Sequence, residues 1–226
     1  MKIAVLGTGI VGQTLAGRFS ELGHDVVIGT RDPQGTLART EADAMGNPPF
    51  AVWHVGHSGV RLQSFADAAA GAELVVNATS GASSLAVLAL AGEQNLDGKL
   101  LIDVANPLDV SAGFPPTLFV KDTDSLAEQI QRACSGAKVV KTLNTMTAAV
   151  MVDPGGLADA EHSIFLCGDD AVAKATVSEL LRSFGWEDVI DLGGLSSARG
   201  AEMLLPIWLM LMNTLGTAAF NFKIVR

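Results

Sequence analysis

The sequence predicts an α/β fold built on a doubly wound, mainly parallel sheet, with a small C-terminal α/β lobe. Short apolar runs at residues 2–6, 25–29, 74–77, 100–104, 138–143, 163–167 and 188–192 alternate with segments of helical spacing along the whole chain. That order gives parallel strands joined by crossover helices. The runs Ile3-Ala4-Val5-Leu6 and Leu100-Leu101-Ile102 are continuously apolar, as strands covered on both faces are. A glycine-rich turn, Gly7-Thr8-Gly9-Ile10-Val11-Gly12, joins the first run to the first helical segment.

Taken in order, residues 10–22 space their apolar side chains as a helix does and stop at Gly23, which tolerates the left-handed backbone of a helix C-terminus. With residues 25–29 they complete a compact βαβ unit. The stretch 32–63 is less regular: Gly46-Asn47-Pro48-Pro49 breaks the pattern and residues 60–63 are a candidate third strand. Further helices are expected at 64–70, 85–93, 125–134, 171–184 and 197–215, with turns at Asn95-Leu96-Asp97-Gly98 and Ser135-Gly136. Asp153-Pro154-Gly155-Gly156 interrupts the pattern, so the chain divides into residues 1–150 and a small lobe of 151–226, or reads as one continuous domain of 1–226.

Composition narrows the classes of function. The 226 residues are 49% hydrophobic, enough to bury a full core. A net charge of −9 with only 15 Lys and Arg excludes the basic surface that nucleic acid or an anionic membrane requires; the expected partners are small molecules. Two cysteines, Cys134 and Cys167, stand far apart, and no secretory signal precedes the first strand pattern, so a reducing cytoplasm is expected. The most apolar run, 203–212, is about half the length that crosses a bilayer and contains Pro206. The chain has no tyrosine, which excludes a Tyr–Lys proton donor. Its four histidines, His24, His54, His57 and His162, form no zinc-like spacing with the cysteines.

The glycine turn is where chemistry first appears. It follows a strand directly and opens a helix, the arrangement of a dinucleotide-binding (Rossmann) unit. Gly7 would make the tight turn, Gly9 would let the backbone approach a pyrophosphate, and Gly12 would let the helix pack closely on the strand. The pyrophosphate would lie against the unpaired N–H groups of the helix N-terminus. At the end of the second strand, where NAD sites carry an Asp or Glu about 20 residues past the glycines, this chain reads Ile28-Gly29-Thr30-Arg31-Asp32. A guanidinium fork matches a phosphate that a carboxylate would repel, so Arg31, with Thr30 as a further donor, favours NADP(H). The competing reading has Arg31 merely solvated and Asp32 on the ribose. Arg39 is a further candidate for the phosphate.

Ligands of such sheets lie across the carboxyl ends of the strands. Asn77-Ala78-Thr79-Ser80-Gly81 and Asp103-Val104-Ala105-Asn106-Pro107 are therefore candidate loops for the nicotinamide, each equally readable as a structural turn. His54 and His57, in Val52-Trp53-His54-Val55-Gly56-His57, read as structural before catalytic, and Lys141 as a solvated strand-end amine before a catalytic one.

In combination, the glycine turn, Ile28-Gly29-Thr30-Arg31, Lys141-Thr142-Leu143-Asn144-Thr145-Met146, Cys167-Gly168-Asp169-Asp170, Ser197-Ala198-Arg199 and Phe222-Lys223-Ile224-Val225 resemble the NADPH-dependent reductases of the deazaflavin coenzyme F420. The resemblance spans essentially the whole chain. It implies hydride transfer between NADPH and a second flat redox carrier, with the protein supplying orientation more than acid–base chemistry. By similarity, Thr8, Ile10, Thr30 and Arg31 bind NADP, Ala78, Asn106 and the turn Asn144-Thr145-Met146-Thr147 border the nicotinamide, and the last helix with residues 220–223 walls the second carrier. The sequence departs from the family at Asn144, where a His is expected. The same fold also resembles the NADPH domain of metalloreductases that use a conventional flavin, so F420 and a flavin both stand as the carrier.

Two other functions share these motifs. One is a dehydrogenase of a small hydroxy acid or imine, although too few residues follow Val150 for the large helical domain such enzymes carry. The other is an NADP-responsive redox sensor without catalysis. Residues 198–215 are apolar nearly all round; a helix of that kind needs cover on more than one side, which points to the molecule's own centre or to a homodimer.

Overall fold

The computed structural model describes residues 1–42 and 46–226. Its first half comprises β1 (Lys2–Leu6), α1 (Ile10–Glu21), β2 (Asp25–Thr30), α2 (Pro33–Ala38), α3 (Phe50–Gly56), β3 (Arg61–Ser64), α4 (Phe65–Gly71), β4 (Leu74–Asn77), α5 (Gly81–Ala91), α6 (Glu93–Leu96) and β5 (Leu100–Asp103). The second half comprises β6 (Leu108–Asp109), β7 (Thr117–Leu118), α7 (Leu126–Ala133), β8 (Lys138–Thr142), α8 (Ala148–Val152), β9 (Ser163–Gly168), α9 (Ala171–Phe184), β10 (Asp188–Asp191), α10 (Ala198–Met203) and α11 (Leu205–Leu215).

Eight strands form one sheet in the order β10-β9-β8-β5-β4-β1-β2-β3, and β6 and β7 make a separate antiparallel hairpin. Side chains of β1 alternate between two apolar layers, as the pleat requires. Ile3 and Val5 pack with Leu15, Phe19 and Phe184 on one face; Ala4 and Leu6 pack with Phe65, Leu88 and Leu126 on the other. Helices cover both faces, so the strands read as unbroken apolar runs. The predicted doubly wound sheet is therefore observed, and the order reverses between β1 and β4, the point where such sheets bind ligands.

Several helices begin where side chains satisfy the free N–H groups of a helix start. Ser64 caps α4 through the Asp67 N–H, Ser125 caps α7 through the Glu128 N–H and Asp170 caps α9 through the Ala173 N–H. α9 ends on Gly185 in the left-handed conformation.

The structure differs from the sequence reading in several places, and α2, α3, α6 and α8 are helices that the spacing does not predict. β9 runs antiparallel to β8, pairing Val140 with Gly168, yet stays in the same sheet. The helix expected from residue 85 starts at Gly81 and ends before Gly92. The single helix expected over 197–215 is two helices meeting at Leu204, with Pro206 in the first turn of α11, where its missing N–H costs no helical bond. The hairpin β6–β7 was not anticipated. Among the described residues no helix is long and apolar enough to cross a membrane.

Candidate functional site

The glycine turn closes on itself in a way that assigns each glycine a separate task. Gly7 has φ +122°, and a Cβ there would stand 2.6 Å from the Ala78 carbonyl oxygen. A Cβ on Gly12 would stand 2.1 Å from the Gly7 carbonyl oxygen, so helix and strand touch through bare backbone. A Cβ on Gly9 would meet nothing within 4 Å; its missing side chain leaves open space in front of α1. No side chain caps that helix, which leaves its first N–H groups and the positive end of its dipole facing outward. Thr8 offers its carbonyl to Gln13 Nε2 at 2.8 Å, and Ile10 is half exposed beside it.

At the end of β2, Thr30 is buried and shares a 2.9 Å hydroxyl hydrogen bond with Thr36. Arg31 is exposed and, among the described residues, has neither hydrogen bond nor ion pair. Asp32 accepts from the Gly35 N–H at 3.0 Å as the N-cap of α2. The carboxylate of Asp32 is thus occupied by a helix cap, while the Arg31 guanidinium has no partner among the described residues. Arg39 stands at the opposite end of α2.

The turn after β4 is held from beneath by Asn77. Its Oδ1 accepts from the Thr79 hydroxyl at 2.7 Å, and its Nδ2 donates to Ser84 Oγ at 3.0 Å and Asp103 Oδ1 at 2.8 Å. Ala78, Thr79, Ser80 and Asn106 then line one cleft of about 400 Å³ together with Val11, Gly81, Ala82, Val104, Ala105, Leu108 and Val110. This cleft lies at the carboxyl ends of β1, β4 and β5. It runs on, through Gly81, Ala82, Leu108 and Val110, into an apolar groove of about 540 Å³ walled by Leu85, Phe119 and Leu126.

Asn144 stands behind Asn106 rather than in the cleft. It is buried, and its Nδ2 reaches both Asn106 Oδ1 and the Ala201 carbonyl at 3.0 Å. Thr145 is buried as well, and Met146 belongs to the apolar core. The structure thus sets Val11, residues 78–80 and Asn106 around one cleft, with Gly7 packed against Ala78, whereas Asn144 holds Asn106 from behind. His54 and His57 are not in it. Their ring nitrogens bond the backbone carbonyls of Val60 and Trp53, and His57 stacks on Trp53.

The expectation for Lys141 is overturned. Its side chain is 0% exposed and its ammonium contacts Asp103 Oδ2 at 2.8 Å, Glu202 Oε1 at 3.1 Å and the Ala105 carbonyl. Burial lowers its pKa, but Asp103 and Glu202 more than offset this and hold it above the ordinary lysine value. Burial in turn raises the Glu202 pKa despite the Lys141 charge. The sequence marks Asp103 only as the start of a candidate nicotinamide loop and does not mark Glu202. An acid at the end of a buried strand, in Leu-Ile-Asp103, was the one signal that could have found the pair.

The doubly wound sheet, with its glycine turn at the strand-order reversal, gives the chain the Rossmann fold of dinucleotide-binding proteins. Residues 2–107 match the family described as NADP oxidoreductase, coenzyme F420-dependent. The chain is 30% identical over 211 residues to the F420-dependent NADP reductase of Methanothermobacter marburgensis, covering 92% of this chain and 90% of that one. It is also 30% identical to metalloreductase STEAP3 of Rattus norvegicus, over 92% of this chain but only 38% of that protein's length. A crystal structure of a candidate F420-dependent NADP reductase from Arthrobacter sp. FB24 shares 63% identity and a TM-score of 0.97 over 100% of both chains. The chain belongs to the coenzyme F420-dependent NADP oxidoreductase family and is an NADP-dependent oxidoreductase.

Proposed function

We propose that the chain transfers a hydride between NADPH and a second flat carrier, a deazaflavin of the F420 type. The observation that carries this reading is the lining of the cleft. None of its eleven residues has a titratable side chain, and it opens directly into an apolar groove. The cleft itself offers no acid or base, and the one carboxylate lining the groove, Asp109, accepts from the Ser111 N–H; such a site orients two ring systems and suits transfer between carriers that bring their own chemistry.

The chain fits NADPH on its own features: open space at Gly9, an uncapped α1 N-terminus and, at Arg31, an exposed guanidinium with no partner among the described residues. Gly7, Thr8, Gly9, Ile10, Val11 and Gly12 hold the pyrophosphate; Thr30 and Arg31 hold the 2′-phosphate. Ala78, Thr79, Ser80 and Asn106 border the nicotinamide, with Asn144 fixing Asn106 from behind and Thr145 and Met146 buried next to it in the chain. When bound, NADPH supplies the hydride. The Asn77 network holds the turn 78–80 in shape, and the apolar walls exclude water from the second ring. The assembly is a homodimer through residues 198–215, where Ile207, Met210 and Leu215 leave apolar surface exposed.

A second reading, reduction of FMN or FAD, is favoured by the amide at Asn144 and by the identity to a metalloreductase. The test follows NADPH absorbance with F420, FMN, FAD and a ferric chelate supplied in turn. Turnover on F420 well above the others is expected. Turnover on a flavin instead selects the second reading, and tight NADPH binding with no turnover on any acceptor overturns both.

A further inference from the structure

Among the described residues, Asp103, Lys141 and Glu202 are the charged groups removed from water entirely or nearly so. Burying an ion costs several kcal/mol unless its partners are well placed, and a single carboxylate would neutralise the lysine. Here all three ammonium hydrogens are used, and the third goes to a backbone carbonyl, that of Ala105 in the cleft wall. Glu202 turns its carboxylate to the Leu126 and Ala127 N–H groups at 2.8 and 3.1 Å, the first two of α7, which the Ser125 cap leaves unpaired. Asp103 Oδ1 takes the Ala105 N–H at 3.2 Å.

A second path joins the same segments. Asn106, next to Ala105, exchanges hydrogen bonds with Asn144, whose Nδ2 reaches the Ala201 carbonyl, next to Glu202. The two paths close a ring: Lys141 to Ala105, Asn106 to Asn144, and Ala201–Glu202 back to Lys141. The ring ties the cleft loop after β5 to the end of β8 and to α10, which runs straight into α11. The loop after β5 and α10 cannot move apart without breaking buried hydrogen bonds of this ring.

We propose that Lys141 and Glu202 are positioning residues for hydride transfer, locking the loop 104–107 to α10 so that the cleft and the C-terminal helices keep one separation. This rests on the reading that the cleft holds the nicotinamide. A misplacement of about 1 Å at a transfer site costs about a hundredfold in rate, so the ring acts on the transfer step more than on affinity.

The test uses Glu202→Gln, which keeps the side-chain volume, and Asn144→Ala, which opens the uncharged path. In the cofactor-free protein, amide hydrogen exchange should speed up in residues 104–107 and 198–204 together in both variants. In stopped-flow single turnovers with the best acceptor, the transfer rate should fall about tenfold or more while NADPH affinity, read by fluorescence, changes about threefold or less. Ala82→Trp, at an exposed position between cleft and groove, tests the underlying reading separately. Normal transfer by Ala82→Trp overturns the assignment of the cleft. Blocked transfer by Ala82→Trp with wild-type rates and exchange in folded Glu202→Gln and Asn144→Ala overturns the positioning role alone.

Discussion

Asn106 and Asn144 lie 38 residues apart in sequence and donate to each other: Asn106 Nδ2 to the Asn144 carbonyl at 2.8 Å, Asn144 Nδ2 to Asn106 Oδ1 at 3.0 Å. Both hydrogens of the Asn144 amide are taken by oxygen acceptors, since the other goes to Ala201. An aspartate in its place matches the shape but turns an acceptor towards two acceptors. Asn144→Asp should therefore be less stable than Asn144→Ala, which should itself lose about 1–3 kcal/mol for the broken buried bonds. Urea unfolding at neutral pH checks the order; equal stabilities would show that the amide hydrogens do not matter.

Arg31 should separate the two nicotinamide cofactors. Its guanidinium is exposed, with no partner among the described residues, and the neighbouring carboxylate of Asp32 is engaged in a cap. A charge-assisted contact is worth about 1.5–3 kcal/mol, so Arg31→Ala should weaken NADPH about tenfold to a hundredfold and leave NADH nearly unchanged. Fluorescence titration with each cofactor decides; equal loss for both removes Arg31 from the phosphate.

Two glycines of one turn should fail in different ways. Gly12→Ala drives a methyl into the Gly7 carbonyl, a contact of backbone with backbone that cannot give, and should destabilise by more than about 2 kcal/mol through overpacking. Gly9→Ala meets only open space and should melt like the parent while binding NADPH poorly. Thermal melts with and without NADPH compare them. A stable, tightly binding Gly9→Ala would place the pyrophosphate elsewhere.

Acid should loosen the start of α7 and its join to α10. Asp124 is held down to about 2, chiefly by its hydrogen bond from Arg132, and the Arg199 guanidinium lowers Glu128. Both carboxylates have folded values below their unfolded ones, so their contribution is present above the unfolded pKa and is lost as pH falls through the folded one. The melting temperature should fall as pH drops from about 4 to 2, and less steeply in Arg132→Gln. An identical slope in the variant would assign the loss to other carboxylates.

The exposed apolar side of α11 should report assembly. Ile207 is 49% exposed and Met210 44% on a helix with only Leu205 and Trp208 buried. Light scattering should give the mass of a dimer, and Ile207→Glu should shift it to a monomer with the fold intact. A monomeric parent would leave this surface to another partner.

What the sequence determined by itself is what depends on neighbours along the chain. Strand periodicity, the divided roles of Gly7, Gly9 and Gly12, the Ser125 and Asp170 caps, and Arg31 at a strand end are all encoded within a few residues, because turns, caps and pleats are local geometry. The tertiary structure alone decided the rest. Lys141 looked like a solvated amine because its partners, Asp103 and Glu202, come from another strand and from a helix far along the chain. Likewise β9 took its antiparallel place from the β8 edge it met, and residues 144–146 went beneath the cleft because the core drew Met146 inward. Burial and charge pairing belong to contacts between elements, which no spacing within one element can express.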